Sequence, residues 1–385
     1  GTGTLTVEAE TRSYVIASAG ATGVELGRLK FRAANEAINL SRVAFQLTNT
    51  ASSSITDLTG FSLWEEGGSA PVGTGVFTST RFATSTLTTA VTVPKDDYKT
   101  LIIKGDLGQI GTSLPATQGA LIAVNYDGDD STGTRGIGAA SGATINQGSS
   151  SDTAFAGVRM FKSFPTFTKL SVPSTTLLGG SGTESGRELY RFSVKADSAG
   201  SVGIYQFTVY LATTSAPASA GATTSVTNIR MKAYTDSVFS SPVAGFGEGG
   251  AAQGQLNNTI AALAANSGTT TVLMNASTQG TGKDYLQIPK GATYYFQLVG
   301  DIAYTNGVTS ASVQARVEGD PYYPYFPAST YQMATAASST VFVAAHLADF
   351  IWSPNATTSS LTTHSDWTNG YFVPGLPADN MDAVT

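Results

Sequence analysis

The chain has 385 residues and a net charge of -6, with 12% charged residues, 42 glycines and no cysteine. That length suits two or three domains, each with a core of its own. The missing cysteines exclude a disulfide framework, a zinc knuckle and a thiol nucleophile, and the thin charge with no basic stripe excludes a phosphate-neutralising groove, so no nucleic-acid partner is expected.

No apolar run of about 18 residues occurs, so no membrane span is expected. The chain opens on Gly1 without a basic-then-apolar leader, which reads as an exported chain after its secretory signal has been removed. A surface so poor in charge fits a chain covered by neighbouring subunits or by glycans.

In chain order, period-two alternation bounded by Gly, Pro, Asn and Asp predicts strands. Leu5-Thr6-Val7 opens the series, and Leu170-Ser171-Val172 is its expected partner further on. Leu26, Arg28 and Lys30 interleave with Leu29 and Phe31; Val43, Phe45 and Leu47 follow, then Leu101 and Ile103. Later, Phe192 and Val194, then Phe207, Val209 and Leu211, then Phe296 and Leu298 fall on the corresponding inward positions. A one-residue slip would turn each of these outward, so agreement between the two series fixes register. Thr259 to Ala265 is the best helix candidate, short and Ala-rich.

The two series are copies of one unit. Glu25, Leu26, Arg28 and Ala33 recur as Glu188, Leu189, Arg191 and Ala196, an offset of 163 (188 minus 25). Pro94, Lys95, Gly105 and Asp106 recur as Pro289, Lys290, Gly300 and Asp301, an offset of 195 (289 minus 94). Between them Ile55-Thr56-Asp57-Leu58 answers Val226-Thr227-Asn228-Ile229, and Pro71-Val72 answers Pro242-Val243; Asp127-Gly128-Asp129 then answers Glu318-Gly319-Asp320. The expected organisation is an all-β chain with copy one over 1–130, a Gly/Ser/Ala-rich connector over 131–164 and copy two over 165–320. Copy two carries an insertion within 244–286, and residues 321–385 form a β-rich C-terminal extension.

Candidate chemistry is sparse. The two imidazoles are His346 and His364, and in His364-Ser365-Asp366 neighbouring side chains on a strand point to opposite faces, so no catalytic residue is assigned. Asp127, Asp129 and Asp130 surround a glycine with enough oxygens for a hard cation such as calcium, although the spacing is not that of an EF-hand; no other cofactor is expected. Asn257, Asn275 and Asn355 match the glycosylation acceptor pattern. Tyr322, Tyr323, Tyr325 and Phe326 make the densest aromatic run, suited to an interface or to a sugar ligand. Val341-Phe342-Val343, Phe350-Ile351-Trp352 and Tyr371-Phe372-Val373 are apolar runs that need shelter, and a neighbour's sheet edge would provide it by strand donation.

The Glu-Leu-x-Arg strands, the Val-Pro-Lys to Gly-Asp blocks and the tail stretches Phe350 to Thr357 and Asp366 to Tyr371 resemble tandem immunoglobulin-like surface proteins of uncultivated small-genome bacteria. The resemblance implies two immunoglobulin-like β-sandwiches in an S-layer-like or filament-forming protein, and carries no catalytic signature. The function expected is therefore non-enzymatic: an extracellular or cell-surface structural protein whose main partner is itself, with glycans or the cell envelope as further partners. The alternative is an adhesin or carbohydrate-binding module.

Overall fold

A computed structural model of the chain describes residues 1–10, 15–48, 54–148, 151–217, 221–246, 254–256, 261–263, 265, 269–273, 285–320, 350–356, 367–376 and 382–384. Every regular element among the described residues is a β-strand. The chain divides into two compact units, Gly1–Lys162 and Ser163–Thr385.

Unit 1 contains β1 (Thr4–Glu10), β2 (Val15–Ser18), β3 (Val24–Ala34), β4 (Ile38–Leu47), β5 (Leu58–Glu65), β6 (Pro71–Gly75), β7 (Phe82–Val93) and β8 (Tyr98–Leu107). It continues with β9 (Leu121–Ile122), β10 (Val124–Tyr126), β11 (Thr134–Gly138), β12 (Thr144–Gln147), β13 (Thr153–Ala154) and β14 (Val158–Phe161). Unit 2 contains β15 (Pro165–Leu170), β16 (Gly180–Ala196), β17 (Val202–Ala216), β18 (Thr223–Tyr234), β19 (Ala261–Leu263) and β20 (Thr269–Leu273). Its remaining strands are β21 (Leu286–Ile288), β22 (Thr293–Val308), β23 (Ser310–Val317), β24 (Phe350–Ser353) and β25 (Asp382–Val384).

One layer of unit 1 pairs in the order β1-β3-β8-β5, and β15-β16-β22-β18 repeats it in unit 2. The facing layer runs β7-β4-β10-β13 in unit 1 and β20-β17-β23-β25 in unit 2. These are the A-B-E-D and C-F-G layers of an immunoglobulin-like sandwich, with an added strand beyond C.

Register repeats as well as order. Leu29 faces Leu101 in unit 1 and Phe192 faces Phe296 in unit 2; Glu25 faces Lys104 and Glu188 faces Val299. Each B strand then takes an extra residue, Leu26 or Leu189, before pairing resumes at Gly27 or Tyr190. A bulge of this kind shifts the parity of the strand, which is why Leu26 and Leu29 both reach the core. The Pro-Lys blocks form the turn before E: Asp97 N–H donates to Pro94 O and Ala292 N–H to Pro289 O, with Asp96 and Gly291 at positive φ.

Two sequence matches fall out of step with this register. Val7 faces Phe31 and Phe167 faces Val194, so β1 answers β15 at an offset of 160 (167 minus 7) rather than the 165 given by Leu5 and Leu170. Similarly, Leu63 faces Ile103 and Met231 faces Leu298. This gives 168 (231 minus 63) for the D strands, where Leu58 and Ile229 had suggested 171.

Apolar side chains fill each sandwich. In unit 1 Phe45 meets Phe61 edge to face at 5.3 Å. In unit 2 Phe192 stacks on Phe296 at 4.8 Å and meets Phe207 edge to face at 5.0 Å, so aromatic rings stand where unit 1 has Leu29, Leu101 and Val43. The expected helix at Thr259 to Ala265 is replaced, over its described part, by strand β19, which pairs with β18. A short Ala-rich run has too little intrinsic helical stability to resist an open sheet edge.

The connector expected over 131–164 is corrected. It holds β11 to β14: β11 pairs with β4, β12 with β11, and β14 runs parallel to β2. Several of its glycines serve contact rather than slack. A Cβ on Gly136 would lie 2.5 Å from Ile38 Cγ2, and one on Gly133 would lie 2.6 Å from Ala44 Cβ. The extension is corrected in the same way, since β24 pairs with β17 and β25 with β23. The described Phe350–Ser353 and Asp382–Val384 thus stand in unit 2 where β11 and β13 stand in unit 1.

Candidate functional site

The F-to-G segment is where the two units differ chemically while sharing a backbone plan. In unit 1, β10 covers only Phe45 to Leu47 of β4, and β11 returns to cover Ile38 to Arg42. In unit 2, β23 covers Val209 to Ala216 of β17, and β24 returns to cover Gly203 to Phe207. Each C strand therefore has a slot beside the end of F that a later strand fills.

The acidic loop of unit 1 lies at this break. Buried Asp127 accepts a hydrogen bond from Asp130 N–H at 3.3 Å, and Asp152 Oδ1 accepts one from Gly128 N–H at 3.1 Å. Carboxylate oxygens of Asp127, Asp129 and Asp152 lie within 4.8 Å of one another. Burial, a hydrogen bond with Asp129 and repulsion from Asp152 and Asp129 push the Asp127 carboxyl up to about 6. These three oxygens are the ones able to hold a hard cation. Asp130, expected among them, instead spends its Oδ1 on Thr132 N–H and Oγ1 at 3.0 and 3.1 Å. Asp152 arrives from 25 residues beyond Asp127 (152 minus 127) and carries no local sequence signal.

In unit 2 the equivalent of Asp129 is Asp320, at the 191 offset that also relates Tyr126 to Val317 (320 minus 129; 317 minus 126). Its Oδ2 accepts hydrogen bonds from Gly370 N–H at 2.7 Å and Phe350 N–H at 3.4 Å, so it clamps β24 rather than joining an acidic cluster. Phe350 stacks on Phe207 at 5.3 Å. Trp352 Nε1 donates to Asn369 O at 2.7 Å, and Trp352 and Thr368 exchange backbone hydrogen bonds of 3.1 and 2.8 Å. Trp367 meets Tyr205 and Tyr285 edge to face at 6.0 and 5.5 Å.

Phe350, Ile351, Trp352 and Val373 are buried in this structure, Tyr371 is half-buried and Phe372 is 46% exposed. Asn355, expected as a glycosylation acceptor, is 9% exposed, and its Nδ2 donates to Ser201 Oγ at 3.1 Å. Asn257, Asn275, Val341, Phe342, Val343, Tyr322, Tyr323, Tyr325 and Phe326, together with both histidines, lie outside the described residues.

No family model and no curated protein matches the chain. Solved structures that match include "BspA_C_mut", at 8% identity and TM-score 0.19, over 82% of this chain and 94% of that one. The C-terminal domain of the Streptococcus pyogenes antigen I/II-family protein AspA matches at 8% identity and TM-score 0.18, over 82% and 94%. The CupB6 tip adhesin of Pseudomonas aeruginosa matches at 8% identity and TM-score 0.19, over 82% and 92%. Likeness this low transfers no residue role.

Proposed function

We propose that this chain is an exported, non-enzymatic structural subunit that assembles with copies of itself into an extracellular filament or surface layer, through β-strand and apolar contacts. One observation carries the reading: the Glu-Leu-x-Arg and Pro-Lys residues that recur between the units serve the scaffold. Glu25 and Glu188 each hold an arginine three residues on at 2.7 Å, Leu26 and Leu189 fill the bulges, and the Pro-Lys blocks make the turns. Duplicating a scaffold in this way multiplies its surfaces, which suits a building element. A chain only 12% charged supports the same reading, since such a composition suits a chain covered by its neighbours. Electron micrographs of the purified protein test it: ordered filaments or sheets are expected, and dispersed particles of single-chain size at every concentration would overturn it.

A further inference from the structure

Unit 2 carries a polar pocket that the duplicated scaffold does not account for. We infer that it is a binding site for a neutral saccharide, a hexose unit taken either as a free sugar or within a glycan chain.

The pocket is built at a break in β16. Glu184 faces Ile302 and Arg187 faces Gly300, so Ser185 and Gly186 stand against the single residue Asp301 and bulge outward. Gly186 turns the chain at a φ of 78° less 9°, that is 69°, and its N–H donates to Asp301 Oδ1 at 2.7 Å. Unit 1 has the same contact, with Gly23 N–H on Asp106 Oδ1 at 2.9 Å. The side chains around it differ. At the 163 offset (187 minus 24), Glu184 and Arg187 stand where unit 1 has Ala21 and Val24. A copied turn has gained a carboxylate and a guanidinium that unit 1 folds without.

Both groups are held in place. Glu184 Oε1 accepts hydrogen bonds from Leu178 N–H at 2.7 Å and from the Tyr304 hydroxyl, and the Glu184 side chain is only 10% exposed. Arg187 spends Nη2 on Ser174 O, Ser174 Oγ and Thr176 O at 2.9, 3.3 and 2.7 Å. These bonds fix the stretch from Pro173 to Leu178 as the second wall of a cavity of about 440 Å³, lined by Pro173, Ser174, Leu178, Glu184, Arg187 and Glu188. Small-ligand sites span about 300 to 1,000 Å³, so a sugar unit has room.

The lining selects the class of ligand. Glu184 Oε2 and Arg187 Nη1 lie 3.9 Å apart, too far for a hydrogen bond between them. A ligand hydroxyl can bridge the two, since it donates to the carboxylate and accepts from the guanidinium at once. An anion would be repelled by Glu184 and Glu188, and a cation by Arg187, so an uncharged polyol is the class that meets no like charge. Pro173 and Leu178, the latter 81% exposed, offer apolar surface to the C–H face of a sugar ring. Saccharide capture adds to assembly and does not depend on it.

The test is a glycan array probed with the purified full chain, followed by calorimetric titration with the sugars that bind. The array carries neutral hexoses and N-acetylhexosamines as mono- and disaccharides, beside sialylated and free-amine sugars. Dextran and mannan are titrated separately to tell a glycan chain from a free sugar as the source, and saturation by either supports the site. Saturable binding of a neutral sugar is expected, and Glu184→Gln is expected to weaken it about tenfold by removing a charge-assisted hydrogen bond. Leu178→Ala lies at an exposed rim where truncation leaves the fold intact, and it is expected to weaken binding about threefold. No saturable binding of any neutral sugar, a preference for charged sugars, or binding unchanged in both variants would overturn the inference.

Discussion

Leu26 and Leu189 occupy the same position in two sandwiches: each is the extra residue of the bulge in strand B, and each turns into the core directly after a glutamate that pairs with an arginine. Truncation to alanine removes buried methyl groups at a point where the backbone is already irregular. Leu26→Ala and Leu189→Ala are each expected to cost about 3 kcal/mol in their own unit. The tryptophans make the effect separable in urea, because Trp64 reports on unit 1 while Trp352 and Trp367 report on unit 2. Leu189→Ala is expected to shift the unit 2 transition and leave that of unit 1 in place.

Gly27 and Tyr190 also share a position, and the unit 1 core compensates for the missing ring with Phe155. A Cβ on Gly27 would lie 2.3 Å from Phe155 Cδ1, so Gly27→Ala is expected to cost about 1 to 3 kcal/mol through overpacking. Phe155→Ala is expected to cost about 3 to 5 kcal/mol through the cavity it leaves. The double variant is expected to cost clearly less than the sum, since each change makes room for the other. Additive costs in denaturant titrations would show that the two positions do not share a space.

Glu36 gives unit 1 an acid limit. Its carboxylate accepts hydrogen bonds from Ser141 Oγ at 2.6 Å, Ser141 N–H at 2.8 Å, and Gly3 and Ala140 N–H at 2.9 Å, tying β1 to the turn after β11. These bonds, that of the Ser141 hydroxyl first, outweigh the opposing effect of burial and lower its pKa from 4.5 to about 2. A depressed carboxylate adds stability that is full above 4.5 and is lost as the pH falls toward 2. Melting temperature measured against pH is expected to fall across that window, and Glu36→Gln is expected to flatten the fall while lowering stability at neutral pH.

Asn355 is expected to remain unmodified in protein isolated from its native source, because its amide nitrogen is buried and engaged with Ser201. Peptide mass mapping checks this directly. A glycan mass at Asn355 would mean that the segment after β24 lies outside the sandwich in the mature protein.

Strand alternation and the recurring Glu-Leu-x-Arg and Pro-Lys blocks were legible because they depend on local rules: side chains alternate across a sheet, and a copied unit repeats its turns. Leu26 reads by alternation as lying with Arg28 and Lys30, and only the register shows the bulge that turns it into the core with Leu29. The final strands were hidden for a different reason. Strand F is broken in both units, and its continuation arrives after seven residues in one and 32 in the other, so no constant offset relates Thr134–Gly138 to Phe350–Ser353. Composition misled as well, since glycines that fit β11 against Ile38 and Ala44 read as slack. The acidic cluster was legible only in part: Asp127 and Asp129 are two residues apart, whereas Asp152 is brought in by the G strand, and the Asp130 carboxylate is taken by a turn within its own loop.

Amide hydrogen exchange tests the account most directly at its central point, that Thr134–Gly138 and Phe350–Ser353 are the same closing strand in two copies of one sandwich. The hydrogen-bonded amides of both segments are predicted to be protected to the degree of β4 and β17, on which they pair. Exchange over 134–138 as fast as in an unpaired chain, with β4 protected, would contradict the account.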